Sequence, residues 1–104
     1  MYEIEIANID EFKTTNSKKI IHDGTPIAIF KIENEFFAID NRCPHRGASL
    51  GDGKLTGNVI SCPWHSWKFS IKSGIAIENL NCSVKTFSVF IENDIVKLKY
   101  EPEE

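Results

Sequence analysis

The chain has 104 residues, a mass of 11.8 kDa, a formal net charge of −3 and a pI near 5.6. That is the length of one small domain, and 41% hydrophobic against 26% charged residues is an ordinary globular balance. Mild acidity argues against nucleic acid or an anionic membrane as partner, and no apolar run approaches the roughly 18 residues that span a bilayer.

The N-terminal stretch "MYEIEIANID" carries acids where a secretory leader has a basic and then an apolar region. A cytoplasmic protein with reduced thiols is therefore expected, and three cysteines do not make a disulfide framework. Tyr2 to Ile6 alternates with period two, which predicts a half-buried strand. Asn8 to Phe12 reads as one helical turn capped by Asn8 or Asp10. "KKIIH" and "PIAIFKI" follow as strands on either side of Asp23-Gly24, a strong hairpin signal. "EFFAID" comes next, after a turn near Asn34. "NVISC" and "WKFSI" flank a loop, and Ser73-Gly74 makes another turn. "VKTFSVFIEN" and "DIVKLKY" close the chain as a hairpin around Asn93-Asp94. The tail "EPEE" is expected to fray. Short strands rich in Ile, Val, Phe and Tyr, with frequent turns, predict an all-β antiparallel sandwich or barrel in a single domain over 1–104.

Two stretches carry the chemistry: "CPHRG" from Cys43 and "CPWHSW" from Cys62. Each starts with Cys-Pro and has a histidine close behind. Cys43, His45, Cys62 and His65 thus form a soft donor set that suits zinc or an iron–sulfur cluster. A structural zinc site would take all four on one tetrahedral ion. A [2Fe–2S] cluster would take two cysteines on one iron and two histidines on the other. One residue between Cys43 and His45 is short for chelating a single ion and suits two irons better. Spacing favours the cluster and leaves zinc open.

Glycines 47, 51, 53 and 57 between the two loops are expected to let backbone approach a cofactor. Pro44 and Pro63 stiffen the loops, and Leu50, Trp64, Trp67 and Phe69 are placed to limit water. Four other residues receive bland readings. Cys82 is expected as a buried structural thiol, His22 as a surface histidine, and Asp52 and Lys54 as solvated turn residues. Arg46 is assigned either to a partner's carboxylate or to bracing its loop.

"CPHRGASLGDGKLTGNVISCPWHSWKF" resembles the Rieske motif: C-x-H, about sixteen residues, then C-x-x-H. The resemblance implies an antiparallel β-sandwich base carrying a small cluster-binding subdomain made of two loops, here approximately 41–70. It implies Cys43 and Cys62 on the buried iron of one [2Fe–2S] cluster, and His45 and His65 on the outer iron at the domain tip. Respiratory members have a further cysteine in each loop, joined as a disulfide, where this chain has Ala48 and Trp64. They also place a serine where this chain has Trp67, and they carry a membrane anchor that is not apparent here. The resemblance therefore implies a low-potential carrier, near the roughly −150 mV end of the Rieske range. It further implies a ferredoxin that accepts electrons from a flavin-dependent reductase and passes them to an oxygenase. Oxygenase large subunits share the motif but need a further catalytic domain, for which 104 residues are expected to be too few. "CPHRGASL" and "NCSVKTFSVFIEND" are also similar to the small subunit of an assimilatory nitrite reductase, the alternative acceptor system. A zinc-stabilised binding module stands as the remote alternative.

Overall fold

The computed structural model describes residues 2–44, 48–63, 67–78 and 81–100. Among the described residues nine strands run in chain order: β1 (Tyr2–Asn8), β2 (Ser17–His22), β3 (Thr25–Ile32), β4 (Glu35–Asp40), β5 (Lys54–Thr56), β6 (Val59–Ser61), β7 (Lys68–Ser70), β8 (Thr86–Glu92) and β9 (Ile95–Tyr100). Helix among the described residues is confined to two single 3-10 turns, Ile9–Phe12 and Leu50–Asp52. Strand order is β1-β9-β8-β4-β3-β2 in the large sheet and β5-β6-β7 in the small one. All pairings are antiparallel.

Local sequence explains the hairpins. Asp23 and Gly24 both take positive φ (50° and 78°), as do Asn93 and Asp94 (53° and 66°). Two such residues in a row make the turn whose twist matches flanking strands. Between β3 and β4 the left-handed residue is Glu33 (φ 57°), one position before the expected Asn34. The Ile9–Phe12 turn is closed by a capping box: Asn8 accepts from the Asp10 amide at 2.9 Å, and Glu11 accepts from the Asn8 amide at 2.7 Å. In β1 the register slips between Glu5 and Ala7. This bulge turns the consecutive Ile6 and Ala7 both inward.

β8 joins β4 through two residue pairs only, so the large sheet folds into two leaves, β1-β9-β8 and β4-β3-β2. Between the leaves lies one core, which includes Ile6, Phe12, Ile27, Ile29, Ala38 and Leu98. A second core lies between the other face of β3-β4 and the small sheet, and includes Ala28, Phe30, Ile39, Leu50, Ile60 and Phe69. β3 and β4 are thus a wall shared by two cores. This is why Ile27, Ala28, Ile29 and Phe30 are all fully buried in a row, where a strand with one wet face would alternate. Each buried Ile or Phe contributes about 1.5–3 kcal/mol of transfer free energy.

Candidate iron–sulfur centre

The two cysteine loops rise from the small-sheet side of the wall, and they are built alike. Ser61 pairs with Lys68 across β6 and β7. Cys62 follows, and its amide donates to the Trp67 carbonyl at 2.6 Å. In the first loop Arg42 pairs with Ser49 in an isolated bridge. Cys43 follows, and its amide donates to the Ala48 carbonyl at 2.9 Å. In both cases a residue pair closes the base and a bond from the cysteine N–H to the fifth residue onward closes the loop. Cys43 and Cys62 therefore occupy corresponding positions, and both are buried, at 1% and 2% exposure. They share the second core with Ala48, Leu50, Ile60 and Phe69, while Trp67 packs against it half-buried. Leu50, Trp67 and Phe69, three of the residues expected to limit water, therefore pack in or against the same core as the two cysteines. His45, Arg46, Gly47, Trp64 and His65 lie outside the described residues.

The first loop lacks a continuous hairpin, and Asn41 takes its place. Asn41 is the one buried polar residue among those described. Its amide donates to the Pro26 carbonyl at 2.9 Å and its carbonyl accepts from Leu50 at 2.8 Å. Its side chain donates to Ser49 Oγ at 2.8 Å and accepts from the Gly51 amide at 2.6 Å. One residue so ties both legs of the loop to β3. Sequence reasoning passed over it; the available signal was an amide side chain between a strand and a loop cysteine.

Charges brace the same region. Arg42 holds Asp40 through its own amide and its guanidinium. Partial burial pushes the Asp40 carboxyl up, but the Arg42 hydrogen bonds and the nearby Lys85 outweigh it and hold the group below 3.8. Lys19 reaches Asp52 at 2.5 Å and, with Ser49, holds that carboxyl below its usual value.

The structure refines the expectations for the remaining residues. Gly53 faces the Ser61 carbonyl so closely that a Cβ would collide with it, so its freedom serves the β5–β6 contact. Gly57 takes φ +60° in the turn between those strands. Lys54 is a strand residue, since the three-residue β5 was too short to show a period. Asp52 is exposed in a 3-10 turn, as expected, and pairs there with Lys19. His22 is half-buried, its ring edge-on to Tyr100 at 4.6 Å. Cys82 is half-buried against the second core.

Two cysteine thiols at the bases of matched loops, set in an apolar core, fit a cluster with thiolates on its inner iron. A family model described as the Rieske [2Fe-2S] domain matches residues 3–88. The ferredoxin component of the naphthalene 1,2-dioxygenase/salicylate 5-hydroxylase systems of Ralstonia sp is 36% identical over 99 residues, covering 94% of this chain and 95% of its own. Among solved structures, the Sphingomonas yanoikuyae B1 ferredoxin superposes with a TM-score of 0.85 at 27% identity, covering 96% of this chain and all of that one. A putative nitrite reductase small subunit superposes with a TM-score of 0.82 at 20% identity, over 96% of this chain and all of that one; that likeness concerns the fold alone. An all-β protein with paired cysteine loops over a second core is thus a cluster-binding domain. The chain belongs to the Rieske [2Fe-2S] domain family.

Proposed function

We propose that this chain is a one-electron carrier of the cytoplasm, taking electrons from a flavin-dependent reductase and delivering them to a terminal oxidoreductase, first of all a ring-hydroxylating dioxygenase. The pair of matched loops with both cysteines buried at equivalent positions carries this reading. When bound, a [2Fe–2S] cluster accepts and releases a single electron. Cys43 and Cys62 would hold its inner iron as thiolates. His45 and His65 would hold the outer iron. Ala48, Leu50, Ile60 and Phe69 keep water from the thiolate side, which limits the reorganisation that accompanies a change of charge. Asn41 and the β6–β7 pairing fix the spacing of the loops. The nitrite reductase small-subunit reading rests on the "CPHRGASL" and "NCSVKTFSVFIEND" stretches and keeps the same four ligands.

The test is the absorption and EPR spectrum of purified protein, as isolated and after dithionite. A red-brown protein whose reduced form has the low average g value of a histidine-ligated cluster is expected, lost in Cys43→Ser and Cys62→Ser. A colourless protein with stoichiometric zinc would replace this reading by the structural-zinc one.

A further inference from the structure

The outer face of the small sheet points away from the second core, and its composition is distinctive. Pairing sets Lys54 opposite Ser61 and Ser61 opposite Lys68. Past β7 the chain returns alongside it: the Ile77 amide donates to the Lys68 carbonyl at 2.7 Å, and the Ser70 amide to the Ile75 carbonyl at 3.0 Å. One row therefore reads Lys54, Ser61, Lys68, Ile77. The row behind it reads Thr56, Val59, Ser70, Ile75. Lys54, Lys68, Ile75 and Ile77 are all exposed, Ile77 at 50%. A shallow depression lined by Thr56, Val59, Ser61 and Lys68 crosses the face.

The lysine row adjoins the second loop directly, since Ser61 precedes Cys62 and Lys68 follows Trp67. Neither Lys54 nor Lys68 meets a carboxylate among the described residues. Charge along the chain sharpens the contrast. Between Asn41 and Phe90 stand six basic residues (Arg42, Arg46, Lys54, Lys68, Lys72 and Lys85) against only Asp52 and Glu78. Asp52 is itself paired with Lys19 of β2. The net negative charge of the chain thus resides in the remaining segments, mostly the base sheet and the tail. A molecule of net charge −3 turns a positive, partly apolar face outward beside its second cysteine loop.

We infer that this face is a docking surface for an acidic redox protein, one that presents carboxylates around an apolar centre. Lys54 and Lys68 steer and orient that partner. Val59, Ile75 and Ile77 supply the apolar contact of a small, transient interface. The inference rests on the electron-carrier reading, and the cluster spectrum tests that reading separately.

The experiment uses the oxidised holoprotein and, as probe, a reduced plant-type [2Fe–2S] ferredoxin, a strongly acidic protein of lower potential. One electron passes: the probe is oxidised by one, and the holoprotein is reduced by one. Stopped-flow rates are measured across ionic strength for wild type, K54E/K68E, and K13E/K31E, which places the same charge change at the far end of the base. The expected wild-type rate falls as salt rises, K54E/K68E is slower by roughly tenfold at low salt, and K13E/K31E stays within about twofold of wild type. Equal slowing in both double variants, or a wild-type rate that rises with salt, would overturn the assignment while an intact cluster spectrum left the carrier reading standing.

Discussion

Asp40 accepts three hydrogen bonds from Arg42, two residues on: from the backbone amide at 2.9 Å, from Nε at 2.9 Å and from a terminal guanidinium nitrogen at 2.6 Å. The carboxylate closes β4 and the arginine opens the first cysteine loop, so the bond fixes where the base ends and the site begins. Because the folded state holds Asp40 below 3.8, the pair stabilises the protein above the unfolded value. That contribution is lost as pH falls through the still lower folded value. Asp40→Asn should unfold at a lower denaturant midpoint than wild type at pH 7. The gap should narrow as pH falls below the ordinary aspartate range; a gap independent of pH would assign the effect to shape instead of charge.

Asn41→Ala removes the side-chain bonds to Ser49 and Gly51 and strands buried polar groups. The cost is about 1–3 kcal/mol, or on the order of 4–8 °C in Tm for each kcal/mol in a domain of this size. Thermal unfolding of the holoprotein reads it. An unchanged Tm would show that the first loop is held by other means.

Gly53→Ala forces a methyl group against the Ser61 carbonyl, a backbone atom that cannot swing aside. The strain falls on β5–β6, one residue from Cys62. Cluster content per chain should drop along with stability, by on the order of 2 kcal/mol or more. Gly57→Ala has open space and only an unfavourable φ, so it should cost about 1 kcal/mol and leave cluster content near wild type.

Cys82→Ser should retain full cluster content and an unaltered EPR spectrum, because Cys82 lies at the edge of the second core and outside both loops. A colourless variant would make Cys82 a contributor to the centre.

Much of this fold was readable from the sequence because β strands announce themselves by alternation and their hairpins by turn residues. Asp23-Gly24 and Asn93-Asp94 fall where expected. The loop cysteines were legible from composition, since Cys-Pro twice with a histidine nearby has few structural explanations. The small sheet was less legible. β5 has three residues, too few for a period, and Gly53 looks the same in a sequence whether it makes room for a cofactor or for a carbonyl. Asn41 was passed over for a related reason: a buried amide is specified by partners from β3 and both legs of a loop, which no local window contains.

The shared wall separates two kinds of variation along a single strand. Successive side chains of β3 point to opposite sides, so Ile27 and Ile29 belong to the base core, while Ala28 and Phe30 form the floor beneath the cysteine loops. Neighbouring codons thus govern different properties. A change of volume at 29 is felt as stability of the scaffold. The same change at 28 presses on the chamber around the inner thiolates. Redox tuning and heat tolerance are therefore separable in this molecule at the spacing of one residue.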